Sequence, residues 1–189
     1  MKKKIWITLG VLVLLLVGAY VYFVHFQYRF TEISKDKVYS SGVIPPEKIE
    51  KFVDKNKIKT IIDLRAGWIQ DELNPAVEGE INEEHEAVEK IEGVKHINIP
   101  SLQIPGDSTV NKFLEVMQDS SNYPVLIHCY HGTGRAVLFS ALYRMEFEDY
   151  SAEEARKNSR YIVPFSNFDK NSPKGKYLLN YEKKLPPKD

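Results

Sequence analysis

Val125-Leu126-Ile127-His128-Cys129-Tyr130-His131-Gly132-Thr133-Gly134-Arg135 reads as a buried strand, a tight loop and the first turn of a helix. Val125 to Ile127 is a short apolar run rich in β-branched residues, set behind the turn signal Asn122-Tyr123-Pro124. After Arg135, Ala136 to Met145 is a helix-forming run with neither Gly nor Pro. Between strand and helix, Gly132 and Gly134 let backbone N–H groups turn inward. A loop of that kind at a helix N-terminus is an anion-binding nest.

The one cysteine of the chain sits at the mouth of the nest, with five residues between it and Arg135. Amide dipoles and a guanidinium stabilise a thiolate over a thiol. The same amides, with the planar fork of Arg135, match the equatorial oxygens of a phosphoryl group. Cys129 and Arg135 are therefore the expected catalytic pair. Tyr130, His131, Gly132, Thr133 and Gly134 are the expected substrate contacts. A lone cysteine is often a buried, inert one. The strand–loop–helix context, the arginine spacing and His128 speak against that here.

Composition narrows the class. At 189 residues the chain is long enough for one domain of ordinary size. Lys plus Arg and Asp plus Glu number 26 each, so no overall field points to nucleic acid. A single cysteine excludes an internal disulfide and a thiolate-rich metal site. Lys2-Lys3-Lys4 precedes Ile5 to Phe26, a run without Asp, Glu, Lys or Arg. About 20 apolar residues span a bilayer as a helix, and Trp6, Tyr20, Tyr22 and Phe23 suit the aromatic belts at its ends. Val17-Gly18-Ala19 would also suit signal peptidase, but the apolar run continues to Phe26, which favours an uncleaved, single-pass anchor. Lys2 to Lys4 lie before the span and Arg29, Lys35 and Lys37 after it. The charges nearest the membrane favour a cytoplasmic N-terminus and an extracytoplasmic domain.

The rest follows in order. Residues 1–26 are the anchor, 27–37 a polar tether, 38–185 the catalytic domain and 186–189 a tail. Val38-Tyr39-Ser40 is a strand, and Pro45-Pro46 opens a helix with Ile49, Phe52 and Val53 at helical spacing. Lys59 to Arg65 is a buried strand, and 66–80 a loop. Glu80 to Glu92 is a helix whose glutamates form a solvated face rather than a metal site. Val94 to Ile99 is a third strand, and Thr109 to Gln118 a helix capped by Asp107 or Ser108. Ser151-Ala152-Glu153-Glu154 is a capping box, and Pro173 opens a last helix. Strands alternating with helices imply an α/β fold with a mostly parallel sheet, its ligand at the strand C-termini. Arg65 and Cys129 then share one edge.

Over 38–185 the chain resembles the small, atypical dual-specificity-type members of the cysteine-based protein phosphatases. Val38-Tyr39-Ser40-Ser41-Gly42, Lys59 to Arg65 and Pro124 to Arg135 carry the resemblance, with support from Ala141 to Met145 and Ser151 to Ala155. A rhodanese-like sulfurtransferase also cradles a cysteine, but with one residue fewer before the closing arginine. The resemblance implies a phosphocysteine intermediate, an upstream aspartate that protonates the leaving group, and no metal or organic cofactor. It also implies a phosphorylated protein or small phosphomonoester as partner.

Two positions depart from the family pattern. The residue after the arginine, commonly Ser or Thr, is Ala136, which puts the speed of phosphocysteine hydrolysis in doubt. The usual acid position, near Ser101, has no carboxylate. Asp107 is the nearest candidate, and it is equally a candidate helix cap. Asp63 is better suited to an ion pair with Arg65. Arg65 either binds a second anionic group or braces the loop, and His128 is structural. A binding module that captures phosphorylated ligands without turnover is the rival to an enzyme. The plant-and-fungal branch of the family has a Lys- and Arg-rich loop suited to inositol polyphosphates. The loop here has no fixed charge, which favours a substrate with one phosphate, phosphotyrosine-like, unless Arg156, Lys157, Arg160, Lys174 or Lys176 reach the rim.

Overall fold

A computed structural model describes residues 2–68, 76–160 and 163–186. Its elements are α1 (Lys2–His25), β1 (Thr31–Ser34), β2 (Val38–Ser41), α2 (Pro46–Asn56), β3 (Thr60–Asp63), α3 (Glu78–Glu89), β4 (Lys95–Asn98), α4 (Asp107–Gln118), β5 (Val125–His128), α5 (Arg135–Phe147), α6 (Ala152–Lys157) and α7 (Pro173–Leu179). A short 3-10 turn, Ser120–Asn122, precedes β5. Most of the loop expected over 66–80 lies outside the described residues.

The five strands form one sheet in the order β1-β2-β5-β3-β4. β2, β5, β3 and β4 run parallel, and β1 is an antiparallel edge. The inner strands β2, β3 and β5 are buried along their whole length, as parallel strands covered by helices on both faces must be. One face packs Phe113, Met117, Leu138, Phe139 and Leu142 into the larger core, with Phe113 and Phe139 edge to face at 5.0 Å. The other packs Ile49, Val53, Ile61 and Val88. Burying each such side chain stabilises the fold by about 1.5–3 kcal/mol.

The register sets up the site. Ser41 pairs with His128, His128 with Asp63, and Asp63 with Asn98. A polar row therefore runs across the C-terminal edge of an otherwise apolar sheet, and the loop from Cys129 starts in its middle.

The polar stretch 27–37 is more than a tether, because it contains β1. Thr31-Glu32-Ile33-Ser34 turns through Asp36, in the left-handed region at φ 55°, and returns as β2. The Asp36 amide donates to Glu32 Oε1 at 2.9 Å and closes that turn. The expected cap of α4 also differs. Gly106 occupies the cap position without a side-chain bond, and Asp107 is the first helical residue. The capping box of α6 is present, with Ser151 and Glu154 reciprocally bonded.

Candidate active site

The loop between β5 and α5 is held from outside by its carbonyls. Tyr130 O accepts from Val43 N at 3.0 Å, His131 O from Arg29 Nη1 at 3.0 Å, and Thr133 O from Arg160 Nη2. With carbonyls engaged outward, the peptide amides are the groups left for an anion at the centre. Gly132, at φ 66°, lies against Ser41 and Gly42, where a Cβ would overlap the Gly42 amide. That close approach ties the Val38 to Gly42 block to the signature loop. Cys129 is 1% exposed, and Ala136 N, in the first turn of α5, points at its Sγ from 3.5 Å. The sulfur thus sits on the helix N-terminus, where negative charge is stabilised.

Arg135 is buried and pinned by one nitrogen. Nη1 donates to Leu64 O at 2.9 Å and Ser101 O at 3.1 Å. Nε and Nη2 are buried and find no hydrogen-bond partner among the described residues. Those two atoms form one edge of the guanidinium, the edge that binds a phosphate through two parallel bonds. The arginine is therefore aimed by backbone from two other loops, with its bidentate edge left for the substrate.

Beneath the loop lies a buried charge network. Arg65 donates from Nε and Nη2 to Asp63, and from Nη2 to Glu84 Oε2 at 2.6 Å. His128 Nε2 lies 2.8 Å from Glu84 Oε1, and His96 Nε2 lies 3.4 Å from the same atom. Asp63, Glu84, His96 and His128 bring atoms of the metal-ligating kind within 4.8 Å of one another. Arg65 already supplies a cation to both carboxylates there. Burial opposes ionisation of Glu84, but His128, His96 and Arg65 outweigh it and hold its carboxyl far below the usual range. Burial likewise opposes charging of His128, but Glu84 and Asp63 hold its pKa above the ordinary histidine value.

Two expectations change here. Arg65, a candidate for substrate contact, is buried and spends its guanidinium on Asp63 and Glu84. That pairing makes it a brace of β3. Glu84, expected on a solvated face, is buried with Ile81 and Val88. The three lie at i, i+3 and i+7, the spacing of a helix's inner face, and that spacing was the available signal.

The family model for a DSP-PTPase phosphatase fused to NAD+ kinase matches residues 21–174. The chain belongs to this DSP-PTPase family. It is a cysteine-based phosphatase with an α/β fold. Solved structures share that fold at low identity. The core catalytic domain of the PP-IP phosphatase SIW14 from S. cerevisiae matches with TM-score 0.59 and 18% identity, covering 81% of this chain and 85% of its own. P. aeruginosa TpbA in complex with phosphotyrosine matches with TM-score 0.54 and 16% identity, covering 81% and 90%. A putative DUF442 phosphatase from Shewanella putrefaciens matches with TM-score 0.55 and 20% identity, covering 79% and 87%. No curated protein is a significant match to the chain.

This DSP-PTPase carries cations close to its loop. Arg29 and Arg160 bond the loop carbonyls, as described. Lys174 Nζ and Gln103 lie beside Gly134, bonded to each other at 2.6 Å. Burial lowers the pKa of Arg160, and the neighbouring Arg29 lowers it further. Of the basic residues whose position the sequence left open, Arg160 and Lys174 are at the loop, whereas Arg156 pairs with Glu153. Arg29 and Gln103 carried no motif that singled them out. Asp107 is exposed, and its Oδ1 accepts from Lys184 Nζ at 2.8 Å. It ends the segment from Pro100 to Gly106 whose Ser101 carbonyl steadies Arg135.

Proposed function

We propose that this DSP-PTPase hydrolyses single phosphomonoesters of the phosphotyrosine or dual-specificity protein class, from a domain anchored to a membrane by α1. The observation that carries the reading is the pairing of Ala136 N on Cys129 Sγ with an Arg135 whose Nε–Nη2 edge is left open. Sγ attacks phosphorus in line and forms the S–P bond while the ester P–O bond breaks. The amides and Arg135 stabilise the charge on the equatorial oxygens. The leaving oxygen takes a proton, for which we assign Asp107. Water then attacks the phosphocysteine, gives a proton back to that carboxylate and releases phosphate with the thiolate. Ala136 offers the departing thiolate an amide but no hydroxyl, so the second step is expected to be the slower one.

The anchor reading rests on Lys4–His25, a helical segment of mean hydropathy 2.5 with none of it buried. The low charge of Tyr130 to Gly134 supports a singly phosphorylated substrate. A second reading, inositol phosphates, is favoured by Arg160 and Lys174 beside the loop and by the fold likeness to a PP-IP phosphatase. Turnover of a phosphotyrosine peptide against an inositol polyphosphate at fixed ionic strength separates the two. Cys129→Ser tests the mechanism. It should bind phosphate and release none from an aryl phosphate, and turnover at the wild-type rate would overturn the reading. A wild type that binds without turnover would make the chain a binding module.

A further inference from the structure

We propose that the catalytic face of this domain lies directly on the surface of the bilayer that α1 enters, with Trp68, Leu102 and Phe165 seated among the lipid headgroups around the mouth of the site. The inference rests on the membrane-anchor reading of α1 and goes beyond it. An anchor says only that the domain is tethered, whereas the contacts here fix which side of it faces the membrane.

The chain leaves α1 without slack. Phe26 and Gln27 donate back to Tyr22 O and Arg29 to Phe23 O, and Tyr28 and Arg29 turn sharply at φ 51° and 54°. This exit is bonded to the active site. Arg29 holds His131 O, and Tyr28 O accepts from Gly42 N at 2.8 Å, next to the contact between Gly42 and Gly132. Tyr28 Oη accepts from Lys48 Nζ at 2.7 Å, and Phe30 stacks on Tyr39 at 5.2 Å. The signature loop is therefore clamped to the first residues that emerge from the span. Arg160 bonds the loop at Thr133.

Three of the exposed apolar residues outside α1 lie close in sequence to groups that bond the signature region. Trp68 is 70% exposed, Leu102 54%, and Phe165 fully. They come from three segments, after β3, after β4 and after α6. Each segment is tied to the signature region a few residues away. Leu64 O and Ser101 O accept from Arg135, and Arg160 donates to Thr133 O. Scattered exposed apolar residues are ordinary on a soluble surface. Here three lie within five residues of groups bonded to the signature region, and Phe26 at the helix exit is also exposed. Tryptophan and phenylalanine favour the membrane–water interface, and Arg29 and Arg160 suit anionic headgroups. Continuity with α1 makes the occupant the bilayer rather than a protein.

The chain has two tryptophans, Trp6 in α1 and Trp68 in the loop after β3, so each can be read alone. The full chain is reconstituted into phosphatidylcholine–phosphatidylglycerol vesicles carrying a nitroxide at headgroup level or deep in the acyl chains. In Trp6→Phe, the headgroup-level nitroxide should strip much of the Trp68 emission, its maximum should lie to the blue of a water-exposed tryptophan, and the deep nitroxide should do little. In Trp68→Phe, lipid nitroxides should quench Trp6, which reports the span. Trp6 quenched while Trp68 answers only to aqueous iodide would overturn the docked face and leave the anchor standing. Trp6 unquenched would overturn both. Trp68 shielded from iodide and from lipid quenchers alike would mean a protein covers the face, and would also overturn the proposal. Adding Leu102→Ser and Phe165→Ser to Trp6→Phe should weaken lipid quenching of Trp68. Unchanged quenching would overturn the common surface.

Discussion

Glu84 Oε2 accepts from Arg65 Nη2 at 2.6 Å, joining a helix to a strand end across 19 residues of chain. Asp63 accepts from Nε and from the same Nη2, and His128, the residue before the nucleophile, lies against Glu84's second oxygen. The catalytic loop therefore starts from a strand end that α3 holds through charge. Glu84→Gln keeps the shape and removes the charge. Breaking a buried pair by neutralising one partner costs about 3–5 kcal/mol, because the other is left uncompensated. Denaturant unfolding of the reconstituted or detergent-solubilised chain should show a loss of that size, whereas a change under about 0.5 kcal/mol, typical of surface positions, would mean the network contributes nothing net.

The same network gives stability a pH dependence of defined sign. His128 is raised in the fold, so its contribution is fully present below the unfolded histidine value of about 6.5 and is lost as pH rises through the raised value. Glu84 is lowered, so its contribution is present above the unfolded value of about 4.3 and is lost as pH falls through the folded one. The network should stabilise most between those two unfolded values. Unfolding midpoints measured across the alkaline side of that window should fall as pH rises in the wild type. In His128→Gln that alkaline slope should flatten. An identical slope in both proteins would assign it to another group.

Much of this was legible in the sequence because local chemistry and tertiary role coincide. The strand–loop–helix around Cys129 combines β-branched residues, glycines at the turn and an uninterrupted helix former, and all three point one way. Pro46, the Ser151 capping box and Pro173 mark helix starts by backbone chemistry alone. What was not legible depends on register between distant segments. Arg65 could face substrate or brace the strand, and only the alignment of Asp63 with His128 and the inward turn of Glu84 decides for the brace. β1 was missed because four residues beside charged neighbours carry too little pattern until β2 is there to pair with them. Arg29 and Gln103 reach the site through long-range contacts that leave no local mark.

Arg135→Lys tests the open edge of the guanidinium. Lysine keeps the charge but cannot present two parallel donors, nor reach Leu64 O and Ser101 O while facing a phosphate. Loss of one oriented donor to a developing oxyanion costs about 10²–10³ in kcat, and the fork supplies two. Steady-state rates on an aryl phosphate should fall by at least that factor, with KM changed far less. A rate within a few-fold of wild type would mean that Arg135 serves only to join the Leu64 and Ser101 loops.

Asp107 decides how the leaving group departs. Its carboxylate is exposed and bonded to Lys184 on the C-terminal segment, so its position alone fits either a surface ion pair or an acid at the end of the Pro100 to Gly106 segment. The chemistry separates the two. A phenolate that is already a good leaving group needs no proton in the transition state, whereas an alkoxide or an ordinary phenolate does, and general acid catalysis contributes about 10²–10⁴-fold there. In kcat/KM, which reports phosphocysteine formation alone, Asp107→Asn should therefore slow phosphotyrosine-like and alkyl phosphates by up to about that range, and leave strongly activated aryl phosphates nearly untouched. Lys184→Met removes the ion-pair partner and keeps the carboxylate. If Asp107 is the acid, Lys184→Met should leave that leaving-group dependence in place. Equal loss of kcat/KM on both substrate classes in Asp107→Asn, or the same modest loss of stability in both variants with rates unchanged, would assign Asp107 to the ion pair and leave the proton to another donor.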